Sequence, residues 1–232
     1  MGEQRVFVWD LPTRLFHWLL AAAVTGAVVT GLQGGALMDW HGRFGLSIVG
    51  LLAFRLVWGF VGPTYARFIQ FFPTPGKVAA YWRGQWRGEG HNPLGALSVF
   101  GLLALLAVQV ASGLVGNDDI VFSGPLADLV AKDISNRLTG FHQLLSNALY
   151  ALVALHVVAV LFYTRRKKRS LIRPMITGWK DNAQGESARG GGIVAFAVAV
   201  VVAASLALVG AGFVAAPSAS RLNVWSMMDA IR

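Results

Sequence analysis

The chain has 232 residues, of which 55% are hydrophobic and only 13% charged, with a net charge of +9 and no cysteine. A water-soluble domain carries about a quarter charged residues, so much of this surface faces something other than water. The lack of thiols excludes disulfides, thiolate metal sites and iron–sulfur clusters within the chain.

Five apolar stretches, near residues 15–33, 44–62, 95–116, 141–163 and 193–215, are long enough for the roughly 20 residues of helix that cross a bilayer. The first is preceded by basic residues, as a signal peptide would be. No small-residue cleavage site follows cleanly, however, and His17 interrupts the run, so it reads as a retained helix. The second opens at WHGRFG, with His41 and Arg43, and carries Arg55 inside it. The connection 63–94 is rich in Pro, Gly and aromatic residues. Its segment 75–86 reads as a short amphipathic helix at the membrane surface, with Tyr81, Trp82 and Trp86 at headgroup depth. His91 stands in GHNPLG, just before the third span. After that span, the loop 117–138 collects Asp118, Asp119, Asp128 and Asp133 together with Arg137. The fourth span contains His142 and His156 and stops at five consecutive basic residues, Arg165 to Arg169. The segment 181–192, DNAQGESARGGG, reads as a flexible linker. It separates a four-helix core, residues 1–180, from an accessory fifth helix, 193–216, and a short tail, 217–232. The expected fold is therefore an all-α membrane protein: a four-helix transmembrane bundle plus one additional C-terminal transmembrane helix.

The basic surplus is a topology signal and not a nucleic-acid footprint. With the N-terminus in the cytoplasm, fourteen Lys and Arg residues fall on the inner side and five on the outer, with Arg55 left within a helix, as the positive-inside rule describes. The expected location is a bacterial inner membrane, with the C-terminus periplasmic and the basic inner face in contact with anionic lipid.

Four of the five histidines lie in or at the edge of apolar helices, where an ionisable side chain points to function by default. His142 and His156 are fourteen residues apart. At 3.6 residues per turn they share nearly one helix face, about 21 Å apart along the axis. That is too far for one metal ion but suits two cofactors, one near each leaflet. The topology places His41 at the depth of His142, on the outer side, and His17 at the depth of His156, on the inner side. Haem accepts two axial imidazoles and no other protein ligand, whereas zinc wants further ligands that the helices do not offer. Arg55, fourteen residues after His41, shares that histidine's face at the inner depth and is expected either to pair a propionate of the inner haem or to snorkel to the inner headgroups. Arg43 and Arg137 are placed to do the same for the outer one. His91 is expected to orient its turn or to touch a propionate or a quinone.

The stretches WDLPTRLFHW, WHGRFG, GHNPLG and FHQLLSNALYALVALHVVAVLFYTRRKKRSLIRPMITG resemble the bacterial cytochrome b-561 family, which includes the b-type cytochrome subunits of nickel–iron hydrogenases. The resemblance spans roughly residues 5–180, and its most specific part is the paired histidines of the fourth helix followed by the basic stop. It implies a four-helix bundle holding two haem b groups, with axial ligands His17, His41, His142 and His156. The implied activity is electron transfer between the quinone pool and a redox partner, such as a c-type cytochrome or a hydrogenase-like subunit. The fifth helix departs from the shorter members of that family. The acidic loop 117–138 suits a basic soluble cytochrome, and quinol oxidation or quinone reduction would use His91 and the aromatic connection. The alternative is a transporter whose histidines relay protons without haem, against which stands the lack of Asp and Glu within the helices.

Overall fold

The computed structural model describes residues 5–120, 122–167, 170–181 and 185–212. Strand β1 (Val6–Phe7) leads into α1 (Leu11–Gln33), and a 3-10 turn at Gly35–Leu37 joins it to α2 (Met38–Val61). A second 3-10 turn at Thr64–Ala66, the single turn α3 (Phe68–Phe71) and α4 (Pro75–Trp82) form the next connection. Then follow α5 (Pro93–Leu114), a 3-10 turn at Ala127–Leu129, α6 (Lys132–Arg165), α7 (Ile172–Thr177), β2 (Trp179–Lys180) and α8 (Ile193–Gly210). Five of these helices are long and apolar enough to cross a membrane, so the chain is a multi-pass helical membrane protein. Many large apolar side chains point outward along them, among them Leu32, Leu144 and Leu155, each more than 60% exposed. A hydrocarbon surround imposes no cost on such exposure.

Side-chain capping sets where the spans begin. Asp10 precedes α1 and accepts from the Thr13 backbone N–H at 3.3 Å, with Pro12 in the first turn. Asn92 does the same for α5, accepting from Gly95 N–H at 2.7 Å, with Pro93 as first helical residue. Both satisfy amides that a helix leaves unpaired at its start, and proline is harmless there because its missing N–H is one of these. The amphipathic helix expected over 75–86 stops at Trp82. Gly84 adopts φ +73°, and Gln85 N–H bonds back to the Ala80 carbonyl at 2.9 Å. A left-handed glycine of this kind closes a helix.

The helices alternate in direction, so the bundle has two distinct ends. The loop end holds the α1–α2 turn and residues 115–131. The end of α8 also reaches the loop end, and the remaining described connections gather at the cap end. There β1 and β2 pair antiparallel, Val6 opposite Lys180. Lys180 Nζ meets Glu89 Oε2 at 2.7 Å. Residues 185–189, inside the segment expected as a linker, are hydrogen-bonded across this cap. Gly185 N–H donates to Glu89 at 3.2 Å, Ala188 N–H to the Phe7 carbonyl at 2.7 Å, and the Thr64 N–H to the Arg189 carbonyl at 2.9 Å.

Helix α8 packs along α2. Phe196 meets Phe54 and Trp58 edge-on at 6.0 and 6.1 Å between ring centroids, and Ala199 is fully buried. With Phe16 and Ala66 these residues form the main apolar cluster. A Cβ on Gly50 would lie 3.4 Å from Ala207, the close approach that small residues allow between membrane helices.

Candidate functional site

Helix α6 runs unbroken past both His142 and His156, so the two imidazoles are separated by about 21 Å of helical rise. Each has a partner on another helix. At the loop end, His142 faces His41 of α2, ring centroids 6.0 Å apart and nearly perpendicular at 83°. At the cap end, His156 faces His17 of α1, centroids 6.5 Å apart at 49°. These are the two depth-matched pairs expected from topology.

The loop-end pair is held by backbone. His41 Nδ1 lies 2.8 Å from the Ala27 carbonyl, and His142 Nδ1 lies 2.9 Å from the Gln109 carbonyl. A carbonyl only accepts, so each Nδ1 carries a proton, and in the neutral ring Nε2 is then the nitrogen left to ligate. Gln109 also donates its Nε2 to the His142 carbonyl at 3.0 Å, and Ser112 Oγ stands 3.3 Å from His142 Nδ1. Both histidines line a mostly apolar cavity of about 330 Å³, with Gly31, Gly45, Gly113 and Gln109 in its wall. That volume falls within the range of small-molecule sites, roughly 300–1,000 Å³.

The cap-end pair is held differently. His17 Nδ1 is buried with no hydrogen-bond partner, and His156 Nδ1 has only Ser98 Oγ at 3.5 Å, the limit of a hydrogen bond. Charge gathers here instead. Arg55 is 3% exposed, and its guanidinium lies 4.5 Å over the Phe68 ring and 6.0 Å from that of Phe71. Its Nη1 is buried and unpartnered.

A buried carboxylate stands close by, just outside the helices, at the N-cap of α1. Asp10 is 8% exposed. It accepts from Thr13 Oγ1 at 2.6 Å and from Trp58 Nε1 at 2.9 Å, and its charge reaches Arg55. Its capping role conceals it in the sequence, because an Asp before a helix reads as a surface residue. His91 sits between Trp9 and Phe71, ring centroids 4.6 and 4.4 Å away. Burial, and then the Arg55 charge and the neighbouring imidazoles, push its pKa down to about 3, so it is neutral at physiological pH.

The structure does not bring every predicted residue to these sites. Arg43 is exposed and stacks on Trp40 at 4.8 Å, and Arg137 is exposed on α6; neither lines the cavity. In the acidic loop, Asp119 pairs with Lys132 at 3.0 Å, and Asp118 Oδ1 accepts from the backbone of Ile120 and Phe122 at 2.9 and 2.8 Å. Gln109 and Ser112 escaped the sequence reading, although a glutamine in LLALLAVQVASGL is itself an unusual cost within hydrocarbon.

Haem with two axial imidazoles fits this geometry. Two metal–imidazole bonds of about 2 Å, the length zinc shows, plus the half-widths of both rings bring the centroids to about 6 Å, close to the two observed separations. Among the described residues no group of three or more His, Cys, Asp or Glu side chains could hold a metal ion, so two-ligand chemistry suits what is present.

Apolar helices carrying two pairs of facing imidazoles suit a membrane electron-transfer protein of the b-type cytochrome class. The chain belongs to the prokaryotic cytochrome b561 family, whose model matches residues 8–178. Cytochromes b of this kind carry haem b. Among similar proteins is a probable Ni/Fe-hydrogenase B-type cytochrome subunit of Azotobacter vinelandii, 29% identical over 77% of this chain and 89% of the relative. The corresponding subunit of Azotobacter chroococcum mcd 1 is 27% identical with the same coverages. That of Rhodobacter capsulatus is 25% identical over 75% of this chain and 80% of the relative. No solved structure matches the chain.

Proposed function

We propose that the chain carries electrons across a bacterial inner membrane between the quinone pool and a redox partner, through two haem b groups. His41 and His142 hold one, His17 and His156 the other. The observation that carries this reading is the presence of two facing imidazole pairs at separations of 6.0 and 6.5 Å, joined by one continuous helix. The hydrogenase subunits among its relatives favour a hydrogenase-like partner, and a c-type cytochrome is the other candidate. The basic cap end faces the cytoplasm and the loop end the periplasm, by the charge asymmetry.

When bound, haem b supplies a reversible one-electron couple at iron. The imidazoles of His17, His41, His142 and His156 would hold the two irons, and with both ligands supplied by protein no position would be left for substrate. The mostly apolar wall of the loop-end cavity would surround the cofactor largely with hydrocarbon. At the cap end, the Arg55 guanidinium, buried with Nη1 unpartnered, is a ready donor for a haem propionate, and Asp10 balances part of its charge. Neutral His91, in its aromatic niche, offers a hydrogen bond to a quinone carbonyl or quinol hydroxyl near the cap.

The test is the reaction of the oxidised, purified protein with a short-chain quinol, followed through the reduced b-haem band. Rapid reduction is expected, and His91→Ala should slow it while haem content stays constant. If no quinol reduces the wild-type haems, the quinone link is overturned.

A further inference from the structure

The two hydrogen bonds at the loop end share one construction. Ala27 O, which accepts from His41, is also the carbonyl four residues before Gly31 on α1. Gln109 O, which accepts from His142, is the carbonyl four residues before Gly113 on α5. Within a helix, the carbonyl of residue i is bonded to the N–H of residue i+4, and the side chain at i+4 sits beside that carbonyl. A ring approaching from the side of residue i+4 has room at that oxygen where this side chain is missing. At both positions it is. A Cβ on Gly31 would lie 2.8 Å from His41 Nδ1 and 3.0 Å from its Cε1; one on Gly113 would lie 3.1 Å from His142 Cε1 and 3.3 Å from its Nδ1. Glycine costs up to about 1 kcal/mol in a helix relative to alanine, so its presence at these two contacts has a structural consequence: it opens the carbonyl to the imidazole. The Gln109 amide adds a second tie from α5 to the His142 backbone.

We infer that Gly31 and Gly113, together with Gln109, are positioning residues for the loop-end histidines, and that they set the potential of the haem proposed there. The inference rests on the proposed axial roles of His41 and His142. An Nδ1–H bond to a carbonyl fixes the tautomer and orientation of the ring and makes its Nε2 a stronger donor. A stronger donor stabilises ferric over ferrous iron and lowers the potential. The cap-end histidines have no such bond, so the effect is confined to one of the two sites.

The experiment uses the full-length holoprotein, with haem counted by pyridine extraction, redox titration followed optically, and low-temperature EPR of the ferric state. The variants are Gly31→Ala, Gly113→Ala and Gln109→Met, with Gly101→Ala as control, because its Cβ would meet its nearest neighbour at an ordinary 3.7 Å. Alanine favours a helix more than glycine does, so misfolding is not the expected result of the glycine variants. The inference expects one haem to shift to higher potential with an altered EPR low-field signal, or to be lost. The other haem should titrate as in the wild type, as should both haems of Gly101→Ala. If both haems of Gly31→Ala and Gly113→Ala titrate and resonate as in the wild type, the inference is overturned. Equal displacement of both haems overturns it as well, because that is a general effect on the bundle. A wild-type protein that binds no haem would instead overturn the underlying functional reading.

Discussion

The two ends of the bundle hold equivalent histidine pairs by opposite means. At the loop end, the imidazoles are anchored on helix carbonyls at 2.8 and 2.9 Å, in a wall of glycines and apolar residues. At the cap end, His17 has no partner for Nδ1 and His156 a marginal one, while a buried arginine and a buried aspartate stand close by. A backbone anchor acts on the metal through its ligand, whereas a buried charge acts through space. In the proposed di-haem arrangement, imidazole pairs drawn from α1, α2 and α6 are tuned by different means at two depths of α6, and the difference gives each end its own vulnerabilities.

The largest expected effect comes from the ligands themselves. Alanine at any one of His17, His41, His142 or His156 should reduce haem from two to one per chain. His41→Ala and His142→Ala should remove the same spectral component, and His17→Ala and His156→Ala the other. Different components lost within a pair would break the pairing.

Next in size is the cap-end charge network. Asp10→Ala removes the α1 cap, worth about 0.5–2 kcal/mol, and strands the buried Trp58 Nε1–H at a cost of about 1–3 kcal/mol. A loss of about 2–4 kcal/mol in detergent unfolding is expected, with release of the cap-end haem before the loop-end one. Asp10→Asn, which keeps a capping oxygen, should recover most of it. Simultaneous release of both haems would show that the ends are not independent.

The smallest effect sharpens the same contrast. Ser98→Ala deletes a contact at the 3.5 Å limit, so redox titration should find the cap-end potential almost unchanged, in contrast to the loop-end shift expected when the carbonyl anchors are blocked.

The spans and the histidine pairs were legible in the sequence because both follow from simple periodicities. Hydropathy fixes depth, and fourteen residues return a helix to the same face. Arg55 was legible for the same reason, standing in an apolar run. The cap was not. Residues 185–189, Gly-Glu-Ser-Ala-Arg, are held largely through backbone groups by distant partners, and so polar a stretch carries no sign of them. Helix α8 is apolar on all sides, so its composition could not show which face meets α2; Phe196, its one aromatic residue, was the only cue. The carbonyl anchors were hidden because a histidine's sequence neighbours do not reveal what lies on the facing helix. Gly31 and Gly113 gain meaning only once the rings beside them are placed.

The most direct measurement is the reduced-minus-oxidised spectrum of the purified chain, with haem quantified by pyridine extraction. Two low-spin b haems per chain, resolved into two potentials, is the predicted result. A colourless protein, or one that keeps both haems after the loss of one of the four histidines, would contradict it.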